Sequence, residues 1–366
     1  MSKQTVSASP HITDPRSSTR RIMIDVLIAL CPCVICATVF FGYHVLINIF
    51  TCLVFCFGAE LLYGLILTKS FTKDGVKQSS VFDMSFAVTA VILALNLPAV
   101  MPVKYWGMNA VDANGAIVFS FDTVVLCALG SIFAIMLVKM LFGGIGRNFA
   151  NPACTGRVFL FIAFAASGAF SATSSLFADG MSSTGATWLG THNTVTGAML
   201  LDMFLGNTAA SAVGETCAIA VLCGYVYLSV RRVIDPRLPL ITVASLAVFA
   251  LFFDVLPSGA SGSAVVMETA AHVLSGGVLF GSVFMATDYA TSPNTFVGKV
   301  VFAVGIGLIT ALIRAFNDNM PEGFSFALLI MNLVVPLLDK YIVPKPFGYV
   351  KPEKKRKKSA KEAAHE

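Results

Sequence analysis

Three sets of residues in this chain of 366 have types and spacings that can do chemistry. The first is the hydroxyl-rich run Asp179-Gly180-Met181-Ser182-Ser183-Thr184-Gly185-Ala186-Thr187, set between two strongly apolar regions. Gly185 and Ala186 carry little or no side chain, so the cleft of a modifying enzyme can take this backbone extended, with the Thr187 hydroxyl presented to it. That suits covalent attachment at Thr187. The letters Ser-Thr-Gly-Ala-Thr in isolation have the composition of a plain solvent loop.

The second is Glu60, the deepest ionisable residue in an otherwise apolar stretch, and hence a candidate for an ion or proton path. Asp25, Asp83, Asp122, Glu215, Glu268 and Asp288 fall nearer to the ends of apolar segments, where capping or interfacial roles suit them. Glu268 and His272 are four apart on one helical face and can pair. The third set is Cys31, Cys33 and Cys36, which with Cys52 or Cys56 has the donors for an iron–sulfur cluster. Buried thiols behave as small hydrophobes, and that plainer role suits cysteines lying within apolar segments.

The elements that must position these groups are membrane helices. With 56% hydrophobic residues, 12% charged residues and 30 phenylalanines, the apolar surface exceeds what a water-soluble core of this size can hide. Ten apolar segments are expected to span: 22–42, 45–67, 82–100, 121–142, 157–171, 212–230, 238–256, 271–288, 299–316 and 324–342. The polar first 20 residues lack the apolar core of a cleavable signal, so the first span is expected to be retained.

With the N-terminus inside, the count places Lys69, Lys73, Lys77, Arg147, Arg157, Arg231, Arg232, Arg237, Lys299 and the run Lys354 to Lys358 on the cytoplasmic side. Lys104 and Arg314 fall outside or at an outer end. Both termini are therefore expected in the cytoplasm. The basic tail reads as an orientation signal with attraction to anionic membrane lipid, and no nucleic acid is expected as a partner. Residues 172–211, which lack Lys and Arg, are placed outside. Within them, Met199, Leu200, Met203 and Phe204 share one face of a short helix expected on the membrane surface.

The expected fold is an all-α membrane protein of about ten transmembrane helices in two inverted five-helix repeats. Its divisions are a cytoplasmic arm 1–21, a first repeat 22–171, an extracytoplasmic loop 172–211, a second repeat 212–342 and a basic tail 343–366. Leu95-Asn96-Leu97-Pro98 and Ala286-Thr287-Asp288-Tyr289-Ala290-Thr291-Ser292-Pro293 each end a span at corresponding places, followed later by Asn151-Pro152 and by Asn332 through Pro336. Interrupted helices at a repeat interface commonly build a pore or binding site.

The Ser183-to-Thr187 run resembles the flavin-attachment motif of the membrane-bound RnfD proteins of Rnf complexes and of the related NqrB proteins of sodium-pumping NADH:quinone reductase. The resemblance implies FMN joined by a phosphoester to Thr187, with Ser183, Thr184, Gly185 and Ala186 completing the motif. Asp179 stands two residues further from Thr187 than the family pattern usually sets it. Gly143-Gly144-Ile145-Gly146-Arg147-Asn148-Phe149-Ala150-Asn151-Pro152-Ala153-Cys154-Thr155-Gly156-Arg157 lacks the Gly-Lys-Ser/Thr ending of a phosphate loop. It resembles instead a stretch common to both families, as does Phe284-Met285-Ala286-Thr287-Asp288, although Tyr289 replaces their usual proline.

Ser9-Pro10-His11-Ile12 and the lack of a long N-terminal extension favour the RnfD family. The implied function is electron relay between ferredoxin and NAD coupled to Na+ or H+ translocation, in the bacterial inner membrane. Implied partners are the other Rnf subunits and a flavin transferase, and a second, noncovalent flavin such as riboflavin is implied among the helices. The alternatives are a flavin-free secondary transporter or channel, and an NqrB-type component of a quinone reductase.

Overall fold

Long runs of apolar side chains leave the backbone no hydrogen-bonding partner in hydrocarbon except itself, and helices follow. The computed structural model describes residues 18–68, 80–103, 106, 109–111, 117–170, 195–206, 212–257, 259, 261–317 and 323–343. In chain order the helices are α1 (Thr19–Phe41), α2 (His44–Thr68), α3 (Ser85–Leu95), α4 (Phe121–Ile132), α5 (Pro152–Phe164), α6 (Gly197–Leu205), α7 (Ala218–Val230), α8 (Arg237–Ala250), α9 (Ser263–Leu274), α10 (Val278–Phe284), α11 (Phe296–Phe316) and α12 (Phe324–Tyr341). α4 continues as a π-helix over Phe133–Met140, and α8 does so over Leu251–Val255. A small antiparallel hairpin, β1 (Asn109–Val111) with β2 (Ile117–Ser120), precedes α4 and was not foreseen.

All ten expected apolar segments are helical, and the chain is an all-α membrane protein, but the segments are not alike. Among the described residues six helices reach spanning length, namely α1, α2, α4, α8, α11 and α12 with their π extensions. α9 and α10 form an apolar pair bent by 48°. Its break is the Ser275-Gly276-Gly277 turn, where Gly276 and Gly277 take φ of 65° and 69°. α3, α5 and α7 have 11, 13 and 13 residues, so they reach only ~16–20 Å of a hydrocarbon core of ~30 Å. The fifth segment starts at Pro152 rather than 157. Asn151 Oδ1 accepts from Cys154 N at 3.2 Å as a helix cap, and proline suits the first helical position.

The same order of packing recurs in both halves. α2 packs on α3 and α4 as α8 packs on α10 and α11, α4 meets α5 as α11 meets α12, and α1 and α7 join the halves face to face. Small residues permit these crossings. A Cβ on Gly156 of α5 would stand 3.1 Å from the Gly130 carbonyl of α4, and one on Gly224 of α7 would meet the Ala29 carbonyl of α1 at 2.6 Å. Leu30, Leu93, Leu95, Leu126 and Phe280 fill the shared core without exposure. Large apolar side chains point outward instead, with Phe50 69% and Phe316 76% exposed, as a lipid-facing surface requires.

α6 forms where expected, with Thr196 Oγ1 accepting from Met199 N at 3.3 Å as its cap. Met203 packs with Ala271 of α9, and Met199, Leu200 and Leu274 gather around them.

Candidate functional site

The glycines of the 143–146 turn take left-handed backbone, with φ of 108°, 85° and 84° at Gly143, Gly144 and Gly146. They turn the chain from the end of α4 and deliver Asn148 and Asn151 ahead of α5. These asparagines line a cavity of about 90 Å³ that opens between the two halves. Met23 and Val26 of α1, Ser85, Thr89 and Ile92 of α3, Lys139 at the end of α4, and Phe284, Thr287, Asp288 and Tyr289 after α10 complete its wall.

Most polar groups of this wall are already engaged. Thr89 Oγ1 donates to the Ser85 carbonyl at 3.1 Å, and Thr287 Oγ1 to the Val283 carbonyl at 2.6 Å. Asp288 accepts from Ala290 N at 3.1 Å and from Thr291 Oγ1 at 3.2 Å. Asn151 Nδ2 donates to the Met285 carbonyl at 3.4 Å, which ties the first half to the second. Two groups retain capacity. Asn148 Oδ1 is buried without a hydrogen-bond partner among the described residues. Lys139 has three N–H donors, and two are used.

Lys139 Nζ lies 2.5 Å from Glu60 Oε2 and 2.6 Å from Ser85 Oγ. Glu60 is therefore a member of a buried ion pair rather than a solitary acid, with its side chain 0% exposed and that of Lys139 2%. Sequence reasoning passed over Lys139, although a lysine within the apolar segment 121–142 is as costly in a membrane as Glu60 and demands a partner for the same reason.

A second buried cluster lies where the short helices meet. Arg157 Nη1 donates to Glu215 Oε1 at 3.1 Å, to Ser325 Oγ at 3.1 Å and to Asn96 Oδ1 at 3.4 Å. Arg157 is thus buried, because the helix capped at Asn151 carries it into the interior. The Glu215 carboxylate sits against the α carbon of Gly277 at the break between α9 and α10. Arg314, in the last turn of α11, is likewise buried. It donates to the carbonyls of His272, Ser275 and Gly276 at 2.5, 2.9 and 3.1 Å, answering the orphan acceptors at the end of α9. His272 Nε2 lies 3.0 Å from Asp254 Oδ2 on the π-helical end of α8, a contact not anticipated from the Glu268 spacing.

Two of the other acids are held by groups distant in sequence. Asp25 accepts from Tyr227 Oη at 3.0 Å and Arg231 Nη2 at 3.2 Å, which joins α1 to α7, and this bond raises the Arg231 pKa above its ordinary value. Asp122 Oδ2 accepts from Val103 N at 3.0 Å. The expected cysteine set does not converge: Cys33 and Cys36 neighbour Cys217 and Cys223, whereas Cys52 neighbours Cys56 and Cys127. Among the described residues no group of three or more His, Cys, Asp or Glu can hold a metal ion. Asp179, Ser183, Thr184, Gly185, Ala186 and Thr187 lie outside the described residues.

Known proteins resemble this chain nearly from end to end. A profile of the NQR2, RnfD, RnfE family matches residues 5–120 and 117–348. The chain belongs to the NQR2, RnfD, RnfE family. The RnfD-type component of the Na(+)-translocating ferredoxin:NAD(+) oxidoreductase complex of Acetobacterium woodii is 35% identical over 354 residues, covering 96% of this chain and 98% of the relative. Its counterpart in the proton-translocating ferredoxin:NAD(+) oxidoreductase complex of Clostridium ljungdahlii is 30% identical over 356 residues, covering 94% and 96%. The NqrB-type component of the Na(+)-translocating NADH-quinone reductase of Chromohalobacter salexigens is 36% identical over 275 residues, but these cover 73% of this chain and 60% of that one. Within the NQR2, RnfD, RnfE family this chain therefore aligns in length with the RnfD proteins. The glycine-asparagine stretch that resembled the family in sequence is the segment that places Asn148 and Asn151 in the cavity wall.

Proposed function

We propose that this chain is the flavin-bearing membrane component of an Rnf-type complex that passes electrons between ferredoxin and NAD and couples them to translocation of Na+ or H+. The relatives' names support the complex, and the single observation in favour of flavin is the cavity with one spare donor, on Lys139, and one spare acceptor, Asn148 Oδ1. That pairing fits the imide edge of an isoalloxazine ring, which offers carbonyl acceptors beside an N–H donor. The apolar walls at Met23, Val26, Ile92 and Phe284 suit the ring faces.

In this reading a noncovalent flavin such as riboflavin is held by Lys139 and Asn148, while FMN is joined through its phosphate to Thr187. Bound flavin supplies the redox chemistry. The chain's own residues orient it, exclude water and set the charge around it: Lys139 holds a positive charge at the wall, and Asp288 is fixed by its two donors. Maturation requires a flavin transferase acting on the 172–211 segment outside the bacterial inner membrane, with both termini inside. The other Rnf subunits complete the electron path.

The test is mass spectrometry of protein purified from its native host. An FMN adduct is expected on the peptide containing Thr187, lost in Thr187→Val and partly kept in Thr187→Ser. Acid extraction is expected to release a second flavin. A native protein with neither adduct nor extractable flavin would leave the flavin-free transporter, which the bent α9–α10 helices and buried ion pair also suit.

A further inference from the structure

The break between α9 and α10 already holds a cation that belongs to the chain. α9 ends at Leu274, the turn Ser275-Gly276-Gly277 follows, and α10 starts at Val278. The guanidinium of Arg314, in the last turn of α11, donates to the carbonyls of His272, Ser275 and Gly276 at 2.5, 2.9 and 3.1 Å. We propose that Arg314 is a tethered cation filling a carbonyl site that otherwise takes one mobile monovalent cation, so that this break is shut to the ion the complex moves. The last clause rests on the reading that the complex translocates Na+ or H+, whereas the site itself does not.

A helix that stops inside a protein leaves its last carbonyls unanswered and carries about half a negative charge there. Carbonyls of this kind, at the end of a half-helix or in an unwound turn, coordinate Na+ in transporters with interrupted helices. Here three of them converge on one point, at a turn that Gly276 and Gly277 make with φ of 65° and 69°. Carboxylates deepen the negative field. Glu215 sits against the α carbon of Gly277, Asp254 lies 3.0 Å from His272 Nε2, and half-buried Glu268 stands one turn before His272 on α9. Arg157 is bound to Glu215, and Arg314 answers the carbonyls. Without the Arg314 guanidinium negative charge is left in excess in a poorly polarisable interior, and one monovalent cation relieves it.

The place lies near water. Arg314 stands in the last turn of its helix, and the Asp254 side chain is 24% exposed beside a turn whose Pro257, Gly259, Ser261 and Gly262 are all exposed. Arg314 itself is 4% exposed, so its guanidinium fills the site rather than hanging at its mouth. A fixed arginine in such a position repels mobile cations, as it does in water-selective pores. An arginine that merely caps a helix end makes the same hydrogen bonds. The two roles differ in what they require: a cap needs donors, and a tethered cation needs charge.

The experiment is thermal unfolding of the purified whole complex in NaCl, guanidinium chloride or choline chloride, each at the same concentration and too dilute to denature. Arg314→Ala and Arg314→Gln are expected to melt below wild type in choline and to regain part of that loss, saturably, in Na+ and in guanidinium. Arg314→Lys, which keeps a charge, should show only the salt dependence of wild type. Arg314→Gln that matches wild type in choline overturns the proposal, since its amide donors then suffice. A loss that Na+ does not restore overturns it too, including one restored by guanidinium alone, because then only the planar shape fits. Should neither neutral variant assemble, Arg314→Lys decides: its assembly makes charge the requirement, and its failure overturns the proposal. No flavin or electron donor is needed, so failure here leaves the proposed function standing. A complex found to move no cation would leave the carbonyl site but remove its bearing on transport.

Discussion

Lys139 Nζ stands 2.5 Å from Glu60 Oε2, and this contact fastens the π-helical end of α4 to α2 at a point where neither side chain reaches the surface. Removing one member strands the other charge, so Glu60→Gln and Lys139→Met are each expected to cost ~3–5 kcal/mol. The double variant Glu60→Gln with Lys139→Met should be more stable than either single, because no charge is then left unmatched. Thermal unfolding of the four proteins in one detergent measures it. Two single costs that simply add in the double would show that the residues do not act as a pair.

Ion movement should depend on the same contact. In the assembled complex Glu60→Gln is expected to lower cations moved per electron more than it lowers electron transfer. Vesicles that record both rates together test this. An unchanged ratio reduces Glu60 to a structural acid.

Asn148 Oδ1 is the buried acceptor left open in the cavity wall. Asn148→Leu keeps the approximate volume and removes the acceptor, so retention of noncovalent flavin should fall by about threefold to tenfold, equivalent to one lost hydrogen bond. Equilibrium dialysis against riboflavin gives the ratio, and the Thr187 adduct is expected to remain. Equal retention in both proteins would remove Asn148 from the site.

Gly277 and Gly144 separate strain from crowding. Both have positive φ, 69° and 85°, but a Cβ at Gly277 runs into the Glu215 carboxylate whereas one at Gly144 meets nothing within 4 Å. Gly144→Ala should therefore cost ~1–3 kcal/mol for backbone strain alone. Gly277→Ala should cost more, because Glu215 must also leave Arg157. Similar melting shifts for the two would mean that the Arg157–Glu215 pair tolerates displacement.

Single cysteines at Ser79 and Ser174, introduced after Cys31 and Cys223 are replaced by serine, should label from opposite faces of the membrane. Ser79 is expected to react from the cytoplasm and Ser174 from outside, as the Lys and Arg distribution dictates. Labelling from one face only would mean that the number of crossings between them is even.

What the sequence determined by itself is what depends on local composition. Apolar runs of sufficient length must be helical in a membrane, so most of the ten segments were legible to within a few residues, although the eighth, set at 271–288, missed that its first helix begins at Ser263; α6 was legible from the spacing of Met199, Leu200 and Met203. Motifs carried family membership in the same way, because a stretch such as Asn148 to Arg157 is recognisable without knowing where it folds. Partnership was not legible. Hydropathy treats Glu60 and Lys139 as two separate costs, 79 positions apart, and only the packing of α2 against the end of α4 turns them into one neutral unit. Arg157 and Arg314 look like flanking charges until tertiary structure buries one against Glu215 and aims the other at the carbonyls of a broken helix. A charge in a membrane is tolerated only where another group answers it, and which group answers is decided by helices brought together from distant parts of the chain.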